Sequence, residues 1–443
     1  MSNLLEKASI ITTPTAYSDG VLHSVKPSES PYADFTFIRN NPGTRVNASG
    51  NIESIAGDLP RIDYRGGCGS LLLEPEATNT ANDSNDFTTG DIFEGSNNPS
   101  LTSSILTSAQ ATSPDGTNNA WKLVDNNDGN TGQCAINYFN TNVITNNYNT
   151  VSLFVKKQGN NDWVYINNFG FDVTSRSWFN ISNGTLGTVA SGHTASIDNY
   201  GNGWYRIAIT FTTEFDLSGS INIRLATSDG ATNILKDGTN GVYIYGLQAE
   251  SHATRQYATS YIPTSEGTGT RAADSATDAG SSDLISSTEG VLYAEVSFSD
   301  SGRIAIKNSD VSSDEIVIGF SSNVFSKVIE DGSTIFTNSF SSANQLNQFY
   351  KIAFKYKDGD SSLWVDGVEQ SISDNFTLNN LNELLLTSEG ESFKGNVKCV
   401  AVFKEALTDA ELTCLTFPNI SRILNERVLA DGGIIESLEC VTL

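Results

Sequence analysis

The chain is predicted to be all-β: two consecutive antiparallel β-sandwiches behind an irregular N-terminal arm. Three observations lead there. The 443 residues exceed what one ordinary core organises, so two or three domains are expected. Asn, Ser, Thr and Gly abound and Met occurs once, a composition that suits short strands and many turns better than long helices. Apolar residues recur with a period of two, in short runs parted by polar turns.

Residues 1–90 are turn-rich and largely aperiodic, dense in Asn-Pro, Ser-Gly and Gly-Gly pairs. They predict an anchoring arm or, alternatively, a small β-subdomain. Residues 91–262 change character. "TVSLFVKK" sets Val151, Leu153 and Val155 on one face, "WYRIAITF" does so with Tyr205, Ile207, Ile209 and Phe211, and "SINIRLAT" with Ile221, Ile223 and Leu225. Half-buried antiparallel strands of this kind build a sandwich.

Residues 263–280 read as a linker. "TSEGTGTRAAD" has no apolar run, so Pro263–Ala273 is expected to be open to proteases, with Tyr261 and Ile262 pinned to the sandwich before it. Residues 281–418 form the second sandwich, with Asp-Gly hairpin turns at Asp358-Gly359 and Asp366-Gly367. It closes on "EALTDAEL", where Thr408 and Glu411 have capping-box spacing for a short helix that stops before Pro418. Residues 419–443 are a C-terminal segment.

Charge and cysteines narrow the function. With 26 basic against 51 acidic residues the net charge is −25, which repels phosphate backbones and anionic membranes. Nucleic acid is therefore not an expected partner. No run approaches the ~20 apolar residues of a membrane helix, so no membrane insertion is expected either. "MSNLLEKASII" lacks the pattern of a signal peptide, and maturation in the cytoplasm where the chain is made is the expectation. Five scattered cysteines without CxxC spacing imply neither a disulfide framework nor a zinc site, and Cys399 is read as a small core residue sharing a strand face with Val397, Ala401 and Phe403.

Several segments, in order, resemble bacteriophage virion structural proteins of the tail or head-fibre type. They are "ADFTFIRNNPGTRVNASGNIESIAGDLPRIDY", "SLLLEPEATN", "SPDGTNNAWKL", "GNGWYRIAI" and "TSYIPTSEGTGTRAAD". The resemblance implies a carbohydrate-binding-module-like sandwich over 91–262 and a concanavalin A/laminin-G-like sandwich over 281–418, both of jelly-roll or lectin-like type. "RVLADGGIIESLECV" is similar to a short segment that recurs in phage structural proteins. One departure is "YGLQAE", with Tyr245 where relatives carry Trp. The implied setting is the virion, assembled in host cytoplasm, with other virion proteins as partners, homo-oligomers, and host surface glycans as ligands.

Catalytic material is sparse. His23, His193 and His252 lie in three separate regions, and no metalloprotease, nucleophile-elbow or Walker spacing occurs. The paired-carboxylate strand signature of sandwich glucanases is absent as well. "VDNNDGNTG" offers hard oxygens for calcium, but the EF-hand template would put Val124 at its first ligand position, so a solvated turn is the reading and no cofactor is expected.

Aromatic platforms remain. In "NDWVYINN" Val164 and Ile166 share one face and leave Trp163, Tyr165 and Asn167 on the other; in "RSWFNI" Phe179 and Ile181 leave Trp178 and Asn180. Trp163, Tyr165, Trp178 and Asn180 are the candidate carbohydrate-binding residues, because sugars stack on flat rings and amides take their hydroxyls. The same faces could instead pack against a neighbouring element. Trp121 and Trp204 are read as packing residues. The expected function is a non-enzymatic virion structural protein displaying lectin-like domains for adhesion to host glycans. The alternatives are a glycan-degrading tail-spike enzyme and a decoration protein without a ligand.

Overall fold

Two-residue alternation produces strands wherever one face can be buried, and strands dominate the chain. The computed structural model describes residues 4–27, 33–87, 92–94, 104–138, 143–171, 174–214, 219–309, 314–340, 346–372, 374–386 and 392–418. The segment "RVLADGGIIESLECV" lies outside them. The chain divides into two units: Gly43–Ser54 with Glu76–Ala272, and Met1–Pro42 with Ile55–Pro75 and Ala273–Leu443.

The first of these units is a sandwich of two six-stranded sheets. One sheet runs in the order Ser104–Ala111, Ala120–Asp125, Asn240–His252, Tyr148–Gly159, Trp204–Phe211, Thr194–Asn199. The other runs Thr185–Leu186, Ser175–Asn180, Trp163–Phe169, Ser220–Ala226, Ala135–Tyr138, Ile92–Glu94. Between them Val151, Leu153, Val155, Ile207 and Ile209 meet Val164, Ile166, Phe179, Ile221, Ile223 and Leu225 in one core, the faces that alternation predicts. The first sheet also buries its outer face, through Val46, Ile52, Phe154, Tyr200, Trp204, Tyr245 and Tyr261. Trp204 thus packs, as expected.

The stretch around Tyr261 fastens that outer layer. The Tyr261 hydroxyl bonds to Ser84 Oγ (2.7 Å) and Asn85 Oδ1 (2.9 Å). The Ile262 amide donates to Gln248 Oε1 (2.7 Å), and Asn79 Nδ2 donates to the Ile262 carbonyl (2.9 Å). Beyond it the expected linker is not loose. Gly269–Arg271 pairs with Ala77–Asn79 in this unit, whereas Ser275–Thr277 pairs with Thr36–Ile38 in the other. Backbone pairing anchors a stretch that carries no apolar run, and for that reason apolar pattern alone misreads it.

In the second unit a nine-stranded sheet faces a five-stranded one. Gly395–Phe403 and Glu289–Phe298 lie at the centre of the larger sheet. The expected arm is corrected here: Ala8–Ser18 pairs with Gly395–Phe403 and with Val21–Lys26, and Ser70–Leu73 pairs with Gly395–Phe403 and Arg61–Asp63. Ile10, Ile62, Leu71 and Leu73 share the core with Leu292, Val296, Ile304, Ile316 and Ile352. Runs of three or four residues are too short to show a period, yet they complete a sheet begun elsewhere in the chain.

Turns and caps follow the local chemistry. Asp366 and Gly367 both take positive φ (49° and 85°) and join Ser361–Val365 to Val368–Ile372 as a two-residue hairpin loop. The helix Asp409–Thr416 carries the full capping box from Thr408 and Glu411, and lays Leu412 and Leu415 on Tyr293, Trp364 and Phe403. Cys399 and Ala401 join that cluster, but Val397 points into the main core, because the pairing shifts between Glu295/Cys399 and Val296/Val397. Cys134, Cys399 and Cys414 are free thiols, whereas Cys68 is engaged in a disulfide.

Four residues of the N-terminal and "TRAAD" motifs meet in a buried ion cluster of this unit. Arg61 pairs with Glu74 (2.8 Å) and with Asp274, and Arg39 pairs with Asp274 (3.0 Å). Arg39 also donates to the carbonyls of Asn41, Ile55, Ala56 and Leu59, so its charge fixes several turns at once. Two cations against two anions is the arrangement a buried charge requires.

Candidate functional site

The four residues expected to bind carbohydrate fall on one face of one sheet. Trp163 lies opposite Asn180, and Tyr165 opposite Trp178, across the strands Trp163–Phe169 and Ser175–Asn180. Val164, Ile166 and Phe179 point to the core, so these four point away from it. Tyr165 and Trp178 stack with ring centroids 5.3 Å apart and planes at 28°.

An open platform is nonetheless not what they form. Tyr165 is 0% exposed and Trp178 8%. The polar tips of both rings explain it: Trp178 Nε1 donates to the Ala231 carbonyl (2.8 Å) and Tyr165 Oη to the Thr232 carbonyl (3.3 Å). Asp229 accepts from the Thr188 amide and hydroxyl (2.8 and 2.9 Å), tying the two covering segments together. Gly187 lies so close to Trp163 that a Cβ there would sit 2.6 Å from the indole. Asn180 Oδ1 accepts the amides of Ser182 and Asn183 and so shapes its own turn. Trp163 and Asn180 remain half-buried at the margin.

Beside the stacked rings the same face becomes polar. Cross-strand register places Asn167 opposite Asn222 and Asn222 opposite Asn137, three asparagines in a row over three strands. The neighbouring row holds Tyr165 opposite Arg224. Asn167 Nδ2 donates to Asn222 Oδ1 (3.3 Å), as does Arg224 Nη2 (2.7 Å), while Arg224 Nη1 donates to Gln133 Oε1 (2.6 Å). The guanidinium lies 6.0 Å from the Tyr165 ring centre.

These groups are buried and incompletely bonded. Exposure is 2% for Asn137, 1% for Asn167, 3% for Asn222 and 7% for Arg224. Among the described residues, Asn137 Oδ1, Asn167 Oδ1 and Arg224 Nε have no hydrogen-bond partner. Buried polar atoms are nearly always satisfied, so a cluster of exceptions marks a place where a polar ligand or ordered water completes the bonding. Of this row, sequence reasoning had placed only Asn167 on the correct face. The available signal was an Asn after an Ile in "AINY", "YINN" and "SINI", but only the register brings the three together.

Other candidate chemistry is absorbed by structure. His193 Nδ1 lies 2.8 Å from Ser177 Oγ, a fully buried hydroxyl that also accepts the Ala190 amide. Burial pushes the His193 imidazole down from 6.5 to about 4. In the "VDNNDGNTG" turn Asp128 pairs with Lys236, and Asp125 accepts the amides of Asn127, Gly238 and Asn240. Those carboxylates thus have local donors. Among the described residues no group of three or more His, Cys, Asp or Glu is arranged to hold a metal, and no helix is long and apolar enough to cross a membrane.

Residues 291–413 match the family model described as the Concanavalin A-like lectin/glucanases superfamily. Among solved structures, mouse laminin α1 domains LG4-5 are similar at 10% identity over 74% of this chain and 97% of that one, with a TM-score of 0.22. The CBM40 of a Ruminococcus gnavus IT-sialidase bound to α2,3 sialyllactose shows 13% identity over 30% and 86%, with a TM-score of 0.27. Domain 4 of a Geobacillus stearothermophilus GH43 extracellular arabinanase, in complex with arabinotriose, shows 14% identity over 36% and 82%, with a TM-score of 0.27. No curated protein matches the chain. The family match, lying within a sandwich of the appropriate kind, makes residues 291–413 similar to a concanavalin A-like lectin or laminin G domain.

Proposed function

We propose that this chain is a non-enzymatic structural protein of a bacteriophage particle, made in the host cytoplasm, that binds host surface glycans through its lectin-like sandwiches. The ordered motifs from "ADFTF" to "TRAAD" support the virion setting, and the concanavalin A-like match over 291–413 supports the lectin-like character. The observation that carries glycan binding is the asparagine row beside the Tyr165–Trp178 stack, with its unpaired amide oxygens. Sugar hydroxyls are the donors such oxygens lack, and the half-buried Trp163 gives the margin an apolar ring. Copies assembled with one another and with other virion proteins would turn weak single sites into firm attachment through effective concentration.

One observation favours a second reading. The covering of Tyr165 and Trp178 suits a decoration protein without a ligand. A glycan array probed with the full chain clustered on beads separates the two. Binding that falls about tenfold in Asn167→Ala and Asn222→Ala, with melting temperatures held, supports the lectin, since a hydrogen bond contributes about 0.5–1.5 kcal/mol. Absence of binding across host polysaccharides leaves the decoration reading.

A further inference from the structure

Three buried arginines of this chain pair with carboxylates: Arg39 with Asp274, Arg61 with Glu74 and Asp274, and Arg255 with Glu250. With 51 acidic residues against 26 basic ones, anions are not scarce. Arg224 departs from the pattern. Its side-chain partners are the neutral oxygens of Gln133 and Asn222, and among the described residues no carboxylate pairs with it. A guanidinium taken from water without a counter-charge costs several kcal/mol, a cost that an incoming anion relieves.

Arg206 supplies the contrast. It too is buried without a carboxylate, but it donates to the Thr259 carbonyl and Ser152 Oγ and lies against Phe154, under the layer fastened by Tyr261. Arg206 belongs to a closed packing layer. Arg224 adjoins the row whose acceptors are themselves unfilled.

We infer that the glycan bound at this face carries a carboxylate, which Arg224 takes, while Asn137 Oδ1 and Asn167 Oδ1 accept hydroxyls of the same ligand. This rests on the glycan-binding reading above and adds the substrate class to it. Neighbouring strands lie about 4.8 Å apart, so the two amide oxygens flank Asn222 over roughly 10 Å, and Arg224 faces the same ligand from the adjoining row. The ligand class is an acidic sugar, a uronic or sialic acid unit within a polysaccharide.

The test uses the full chain and matched probes: oligosaccharides of galacturonic, glucuronic and sialic acid, each beside its methyl ester, followed by calorimetry and saturation-transfer NMR. The ester keeps every hydroxyl and removes the charge. The acid form of at least one probe is expected to bind about tenfold or more tightly than its ester, with affinity falling as salt rises. Arg224→Gln should erase the difference between acid and ester, and Arg224→Lys should keep part of it. Equal binding of acid and ester, or a preference that survives Arg224→Gln, overturns the inference while glycan binding stands. Binding of neutral glycans alone on the array does the same. Binding of no glycan at all overturns both readings and leaves the row as a site of ordered water. Should Arg224→Gln fail to fold, the Arg224→Lys series and the acid–ester comparison on the native chain still decide it.

Discussion

Trp178 shows how one polar atom redirects a ring from ligand to scaffold. Its indole N–H reaches the Ala231 carbonyl, and its face lies on Tyr165. Trp178→Ala should therefore lower stability by about 3–5 kcal/mol, as a core truncation does. Trp178→Phe should cost about 1 kcal/mol for the lost hydrogen bond, both read by denaturant melts. A Trp178→Ala chain that melts like the native one would return the ring to the surface. Alternation could assign the face of Trp178, because period two is local. It could not reveal the cover, which comes from Ala231 and Thr232, far along the chain. His193 offers a second test at this scale. Burial holds its imidazole at about 4 against an ordinary 6.5, so between those values the unfolded chain binds a proton that the folded chain does not. Proton uptake then favours unfolding, and stability falls as pH drops from about 6.5 through about 4. Replacing His193 with Gln should flatten the melting temperature across that window relative to the native chain, the carboxylates titrating alike in both.

At the scale of elements, the start of the helix Asp409–Thr416 was legible to the residue, since a capping box is a local device. Thr408 Oγ1 accepts the Glu411 amide and Glu411 accepts the Thr408 amide. Thr408→Ala should cost about 1 kcal/mol. Leu412→Ala should cost about 2–5, because Leu412 is wholly buried in the cluster beneath the helix. Comparing the two variants by chemical denaturation separates cap from core. Equal losses would mean that the helix is held by its end alone. The strand beside it was read less well. "NVKCVAVF" alternates plainly, yet Val397 and Cys399 face opposite sides, because Lys398 bulges between their pairing partners. Periodicity assumes an unbroken ladder, and only the partner strand shows where the ladder slips. The asparagine row was hidden for a related reason: Asn137, Asn167 and Asn222 are scattered in sequence and become neighbours only through register.

At the scale of the molecule, the long alternating strands fixed the all-β class, but the order of segments along the chain misled the division into domains. A sheet draws strands from wherever the chain supplies them. The strand set of Glu289–Phe298 to Gly395–Phe403 is finished by Ala8–Ser18, Val21–Lys26, Arg61–Asp63 and Ser70–Leu73. The Arg39–Arg61–Glu74–Asp274 cluster joins three of the segments of that unit. Asp274→Ala should accordingly cost about 3–5 kcal/mol, since it strands two buried guanidinium groups. A fragment beginning at Ala273 is the sharper test. It would leave one edge of Gly395–Phe403 without the partners Ile10, Ile11 and Thr12, and would uncover the core that Ile10, Ile62, Leu71 and Leu73 close. Unsatisfied ladder groups and bared apolar surface together exceed the few kcal/mol by which a domain is stable. The isolated fragment should therefore lack a cooperative thermal transition and show collapsed amide dispersion by NMR. The same fragment mixed with residues 1–75 should regain both. A fragment that melts cooperatively alone would mean that the N-terminal strands are an addition to a finished sandwich rather than part of it.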